Sequence, residues 1–472
     1  MGWIYVPRSR NAGSSCHRHN KQIYHGVEHP WLPLLLERET ELARFFSPYS
    51  CRYNSLGQCS WWHGQTRAPV NTRTTTEKLW RLPATDSSSS SMVVAGATET
   101  LAVFWHEGML AHDAGSGMFD TGLDPGFLDV LEKHFDGADR VRNMVSILRR
   151  GPIAPFLSWH SGSPAHTSDL LKFHTQEYID ELVQADASGG KKLDKTTFLN
   201  PGSWGATLLA AGTTLSAARH ILDGRGKMAY ALVRPPGHHA HPDRADGYCI
   251  LNNAGLALQL ALDSGLTKIA VVDIDAHYGN GTAERFYQTD NVLTISLHMK
   301  HGSWDPSYSH AQSGSADLIG EGKGLGYNLN IPLPNGSGDA GYEYAVNELV
   351  VPAIDKFQPQ LMVFVIGQDS SAFDPLARQC LTMEGYRRIG KIMRNMANRH
   401  SDGKILIVQE GGYNISYSAY CLHATLEGVL NLEAPLLDDP IAFYPEDEKY
   451  AVKEVDVLKK FWRESIPFLK DI

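Results

Sequence analysis

At 472 residues, with 42% hydrophobic and 20% charged residues, the chain has an ordinary globular composition and enough apolar surface for a large core, which excludes a wholly disordered or low-complexity protein. No apolar run reaches the roughly 18 residues that a bilayer-crossing helix needs, so no membrane-spanning role is indicated. The net charge of −9 divides unevenly: residues 1–91 hold eleven Lys and Arg against six Asp and Glu, giving +5 and leaving −14 for the rest, which argues against direct nucleic-acid binding by bulk charge.

The first ninety or so residues show no alternation of strands and helices. They carry a Cys16-His17-Arg18-His19 cluster, a Thr74-Thr75-Thr76 run and a serine tract at 87–91. Basic, Ser-rich composition suits an organelle presequence, but Glu28, Glu37, Glu39 and Glu41 go against it, and a true start at Met92 is a further reading. Residues 1–98 are therefore expected to be an N-terminal extension, disordered or targeting. The six cysteines are scattered without a C-x-x-C pair, which does not suit a disulfide scaffold. Residues 99–437 are expected to form one catalytic domain, and 438–472, which contains the acidic run Glu446-Asp447-Glu448, a C-terminal appendage packing on it.

From Ala102 onward short β-branched runs alternate with helical stretches such as 205–222, where Leu208, Leu209, Ala211, Leu215, Ala218 and Leu222 follow a helical period. This pattern predicts an α/β fold with a central, mostly parallel sheet covered by helices on both faces. Five apolar runs read as buried strands: 229–233, 269–274, 292–297, 361–366 and 405–408. Polar residues follow each one: Arg234-Pro235-Pro236-Gly237-His238-His239; Asp275-Ala276-His277-Tyr278-Gly279-Asn280; His298; Gln368-Asp369-Ser370; and Glu410-Gly411-Gly412-Tyr413. Ligands of open α/β sheets bind at the carboxyl ends of the strands, so this edge is the expected site.

If the backbone stays extended through residue 277, strand alternation puts Asp273, Asp275 and His277 on one face. Two of them could then share an ion with Asp369 from another strand end, the N/O donor set of a catalytic zinc that keeps a position open for water. A strand-end D-x-D-x-H run can also simply cap turns and helices. His238 and His239, after a rigid Pro-Pro-Gly turn, are suited to proton transfer, with Asp273 a candidate partner for one ring and Asn280 for the other. Tyr413, on a flexible glycine-backed loop, could donate to an oxyanion or be a plain surface tyrosine.

These residues resemble the zinc-dependent histone deacetylase family, specifically its class II type and plant members. The motifs are RPPGHH at 234–239, GYC at 247–249, DIDAHYGNGT at 273–282, SLH at 296–298, GYNLNIPLP at 326–334 and EGGYN at 410–414. The resemblance implies the arginase/deacetylase fold and hydrolysis of the acetyl group from N6-acetyl-lysine or related acylated amines. It implies one zinc ion on Asp275, His277 and Asp369, His239 as general acid/base, His238 as its electrostatic partner and Tyr413 as the carbonyl-polarising group. It further implies a structural potassium ion on Asp273, the backbone of Asp275, His277 and Leu297, and the Ser296 hydroxyl. Gly247, Tyr248 and Trp304 would line the substrate tunnel, and His134, Arg140 and Arg142 resemble the entrance to an internal acetate channel.

The chain departs from the family pattern at Gly367-Gln368-Asp369, where phenylalanine usually precedes the aspartate, although Asp374-Pro375 follows as expected. Leu376 stands where polyamine-selective members carry an acidic residue, which disfavours polyamines. Asn280 in place of an aspartate is a class II trait. A ureohydrolase shares the fold but needs carboxylate-rich dimanganese ligands. The same residues would also suit an acetyl-lysine-binding scaffold or a deacetylase of small N-acetylated metabolites. The expected substrate is an acetylated protein or peptide, or a small acetylated amine. The expected location is cytoplasm and nucleus, or plastid or mitochondrion if residues 1–90 act as a presequence.

Overall fold

The computed structural model describes residues 100–115, 129, 133–300, 313–441 and 448–472, so the N-terminal extension to residue 98 and Trp304 lie outside the described residues. Eight strands build one sheet: β1 (Leu101–Trp105), β2 (Leu157–Ser161), β5 (Met228–Ala231), β6 (Ile269–Asp273), β7 (Val292–Met299), β8 (Asn328–Leu333), β9 (Leu361–Ile366) and β10 (Ile405–Gln409). The two-residue strands β3 (Lys191–Lys192) and β4 (Phe198–Leu199) form a separate antiparallel hairpin. The sheet runs β2-β1-β5-β10-β9-β6-β7-β8, and every pairing in it is parallel.

Parallel strands need both faces covered, and β1, β5, β6, β7, β8, β9 and β10 are buried along their whole length. Helix Ser203–Leu222 packs against Asn253–Asp263 and lies on β1, β5 and β10, while Met383–His400 packs against Tyr417–Val429 and lies on β9. Helix 383–400 shows why such segments are helical. Met383, Tyr386, Ile389, Met393, Met396 and Ala397 recur every three or four residues and are buried, each larger one contributing about 1.5–3 kcal/mol. Its first turn is closed by the Thr382 side chain, which accepts from the Glu384 N–H at 3.2 Å. Its last turn carries Arg399 and His400, whose charge suits the carbonyl end and pairs with Asp355. Helix Lys449–Ser465 buries Ala451, Val455, Leu458 and Trp462 and packs on β8 and on helix Asp339–Ala345.

Within the eight-stranded sheet, three strands, β1, β2 and β8, go beyond the five expected. Strand β2 is half-exposed and β8 alternates Asn with apolar residues, so neither reads as a buried run. Strand β5 ends at Ala231, short of the expected 233, although the Leu232 N–H still donates to the Phe104 carbonyl at 3.1 Å. His298 is not beyond a strand end but inside β7, fully buried, with Nδ1 on Ser296 Oγ at 2.9 Å and Nε2 on the Gly314 carbonyl at 2.9 Å. The central neighbours β5, β10, β9 and β6 all point their carboxyl ends to one edge, which is what brings their loops together.

Candidate active site

Strand β6 stops at Asp273, so the extended backbone expected through His277 is replaced by two tight turns. The Asp275 N–H donates to Asp273 Oδ1 at 3.0 Å and the His277 N–H to Asp275 Oδ1 at 2.9 Å. This sends the residues to different tasks. Asp273 Oδ2 meets His238 Nδ1 at 2.9 Å, while Asp275 and His277 turn toward Asp369.

One potential ligand atom from each of Asp275, His277 and Asp369 lies within 4.8 Å of the other two. His277 Nδ1 is 2.9 Å from Asp369 Oδ2 and 3.1 Å from Asp275 Oδ1. Backbone N–H groups hold the outer oxygens: Gly411 donates to Asp275 Oδ2 and Ala276 to Asp369 Oδ1, both at 2.9 Å. Glycines wall the cluster. A Cβ on Gly411 would stand 2.5 Å from Asp369 Oδ2, and one on Gly367 would overlap Asp275 Oδ2. Burial and the Asp275 charge push the Asp369 carboxyl up, to about 8; His277, which burial alone would lower, is raised to about 10 by the two carboxylates. Once deprotonated, the two buried carboxylates and one imidazole would carry a surplus of negative charge, and with their N/O donors they fit a divalent cation such as zinc.

His238 and His239 sit with ring centroids 4.0 Å apart but in opposite electrostatic settings. Burial lowers His238, but the charges of Asp275 and Asp273 overcome it and keep its pKa well above the usual value. Burial and the neighbouring His238 charge hold His239 well below. His239 Nδ1 meets Asn280 Oδ1 at 2.8 Å. Glu410, at the end of β10, pins the turn that carries both rings: its Oε2 accepts the N–H groups of Gly237 (2.6 Å) and His238 (3.1 Å).

Several of the remaining expected residues pack together beside these histidines. Tyr248, Leu376 and Tyr413 form one buried cluster with Phe135 against it; the Tyr248 ring is 5.8 Å from Tyr413 and 4.8 Å from His134. Gly247 backs onto His239, whose ring a Cβ there would approach to 2.5 Å. Tyr413 is only 8% exposed, and its loop is tied down rather than loose: Asp374 Oδ2 accepts the N–H groups of Tyr413 (2.7 Å) and Asn414 (3.3 Å), and Asp374 Oδ1 that of Leu376 (2.8 Å). Arg140 lies under the Tyr413 ring at 5.3 Å and donates to the Glu410 carbonyl at 2.9 Å. Arg142, two residues on and so on another helix face, is exposed and pairs with Asp139, away from Arg140. Ser296 pairs in register with Asp273, and Leu297 is fully buried in the next position of β7.

Four acidic residues have roles that the sequence did not assign: Glu410 and Asp374, which lie in motifs already noted, and Asp246 and Asp136, which were not singled out. Glu410 is the first residue after a strand, the same signal that marked the others. Asp136 receives Arg140 Nε at 2.8 Å and Arg234 Nε at 3.3 Å, and those guanidinium charges outweigh burial and hold its carboxyl far below the usual range. Asp246 accepts from Asn280 Nδ2 at 2.8 Å. Each of the last three has at least one partner far along the chain, Arg234, Tyr413 or Asn280, and no local pattern announces those meetings.

A family model described as the histone deacetylase domain matches residues 134–429. The chain is similar to histone deacetylase 8 of Arabidopsis thaliana, 65% identical over 375 residues that cover 79% of this chain and 99% of that one. It is 37% identical over 306 residues to a histone deacetylase-like amidohydrolase of Pseudomonas aeruginosa, covering 65% of this chain and 79% of the relative. Among solved structures, the crystal structure of the HDA15 HD domain superposes with a TM-score of 0.66 at 31% identity, covering 78% of this chain and 98% of that one.

Proposed function

The chain belongs to the histone deacetylase family, and from that premise we propose that it is a zinc-dependent deacetylase that removes acetyl groups from N6-acetyl-lysine side chains of histone or non-histone proteins. The carrying observation is the meeting of the Asp275, His277 and Asp369 donors with two histidines, each of which has its own partner, Asp273 or Asn280.

Asp275, His277 and Asp369 would hold the zinc, which when bound polarises an acyl carbonyl and lowers the pKa of water. The apolar cluster of Tyr248, Leu376 and Tyr413 would receive the aliphatic stem of the acylated lysine and exclude water from the acyl group. Neutral His239 accepts the proton of the attacking water and returns it to the departing amine, so that acetate and a free amine result. His238, kept cationic by Asp273, stabilises negative charge developing beside it. The Tyr413 hydroxyl donates to the oxygen of the acyl group as that oxygen gains charge, and the Arg140 guanidinium under its ring holds the phenol in place. Apolar Leu376 has nothing to offer a second ammonium, which disfavours polyamines.

In this reading Asn280 supports the class II type, and a structural potassium ion sits on Asp273, Asp275, His277, Ser296 and Leu297. Residues 99–437 are the catalytic domain, 1–98 an extension and 438–472 an appendage. The substrate partner is an acetylated protein or peptide, met without direct nucleic-acid contact. The compartment is cytoplasm and nucleus, with plastid or mitochondrion as the outcome if residues 1–90 prove to be a presequence. No helix among the described residues is long and apolar enough to cross a membrane.

The test incubates zinc-loaded protein with acetyl-lysine peptides, acetylated polyamines and small N-acetyl arylalkylamines. Acetate release from peptides, reduced about 10²–10⁴-fold in His239→Ala, is expected. Release from small amines alone would move the protein to metabolite chemistry, and zinc binding without any turnover would leave a scaffold.

A further inference from the structure

Building on that deacetylase reading, we propose that Asp246 is a positioning residue that fixes which ring nitrogen of His239 carries the proton, acting through the side-chain amide of Asn280. Asn280 stands between groups with opposite demands. One end of its amide lies 2.8 Å from Asp246 Oδ2, and the other lies 2.8 Å from His239 Nδ1 and 3.0 Å from the Gly281 nitrogen. An ionised carboxylate can only accept and a backbone N–H can only donate. The amide NH₂ must therefore face Asp246, and its oxygen must face Gly281 and His239, by chemistry alone. That oxygen only accepts, so His239 Nδ1 has to bear a hydrogen. Its Nε2 is then left with a lone pair, the form able to take a proton from water.

Asp246 is equipped to stay ionised. The buried His241 ring lies between two carboxylates, with Nε2 3.5 Å from Asp246 Oδ2 and Nδ1 2.6 Å from Glu284 Oε2, and Arg244 donates to the same Glu284 oxygen at 3.2 Å. Burial opposes the charge on Asp246, but the hydrogen bond from His241 holds its carboxyl below the ordinary range. Turning the Asn280 amide over would set its oxygen against that carboxylate and its NH₂ against the Gly281 N–H. Removing the carboxylate leaves the Gly281 N–H to oppose the turned form, in which the amide oxygen would instead face His241 Nε2, 3.3 Å from that end of the amide. In that form an NH₂ faces His239 Nδ1, the ring proton moves to Nε2, and the base is lost.

The experiment compares zinc-loaded full-length parent, Asp246→Ala and Asp246→Asn in kcat, KM and pH profile on an acetyl-lysine peptide. In parallel, nitrogen-15 spectra of histidine-labelled protein are recorded, the His239 signals being assigned by their loss in His239→Gln. The expected result for Asp246→Ala is a fall in kcat of about tenfold or more with KM little changed, together with loss of the Nδ1–H signature of His239. Asp246→Asn, which keeps an acceptor oxygen for the amide, is expected to restore both. An unchanged His239 signature in Asp246→Ala overturns the proposal, whether or not activity falls. Should the parent hydrolyse no acylated amine, the deacetylase reading fails separately, and the spectra alone still decide whether Asp246 sets the tautomer.

Discussion

Two buried clusters of charge lie close together in this fold and are built on opposite principles. Around Asp136, one carboxylate meets the guanidinium groups of Arg140 and Arg234, and its pKa is driven far down. In the Asp275, His277 and Asp369 cluster, two carboxylates share one imidazole, and the Asp369 carboxyl is driven up instead, to about 8. Burial is nearly complete in both, so the sign of the shift reports the partners and not the depth. A carboxylate met by guanidinium groups of its own chain stays ionised and serves the fold; two carboxylates sharing one imidazole lack that positive charge and suit a cation.

The comparison breaks most visibly if Asp136 proves dispensable. Asp136→Ala leaves two buried guanidinium groups without their carboxylate and is expected to cost about 3–5 kcal/mol in denaturant unfolding. Because the folded pKa of Asp136 lies below its unfolded value, its contribution is present above about pH 4 and declines as the pH falls further. The stability gap between parent and Asp136→Asn should therefore narrow from pH 5 to pH 2; a constant gap would show that packing, not charge, is what the cluster supplies.

Next in size, Tyr413→Phe should lower turnover by about 10²–10³, the cost of one oxyanion-hole donor, while leaving the unfolding midpoint within about 0.5 kcal/mol of the parent. Equal loss in both measurements would place Tyr413 with the structural cluster instead. The smallest effect has the opposite sign. Asp369→Asn removes one of two facing carboxylates, so the metal-free variant should be more stable than the metal-free parent by about 1 kcal/mol, while zinc content measured by atomic emission falls. The folded Asp369 pKa is raised, so the parent loses this stability as the pH rises from about 4 to about 8, and the variant's advantage should widen across that window.

The functional edge was legible because strands announce themselves by apolar runs and the residues after them are abruptly polar. Asp275, His277, Asp369, His238 and His239 all fall on that boundary, and the structure brings them together. What sequence could not supply was direction. The chain turns after Asp273, so Asp273 parts from Asp275 and His277 although all three were expected on one face. Strand β8 was hidden because Asn328 and Asn330, buried in it, make their own hydrogen bonds to the carbonyls of Leu318 and Ser315, which a polarity pattern reads as exposure. His298 misleads the other way, a polar residue at an apparent strand end that is only a satisfied member of the core. Asp374 and Asp246 act on backbone or amide groups far along the chain, and no local spacing encodes such a meeting.

Gly367 and Gly411 bring a constraint of a different kind. They offer no functional group, yet a single methyl on either would intrude on the carboxylates of Asp275 or Asp369. In a survey of every single substitution these two positions are expected to tolerate change as poorly as Asp275 and Asp369. The most economical way for a lineage to silence this chain while keeping its fold is thus to add one carbon atom at a site that performs no chemistry.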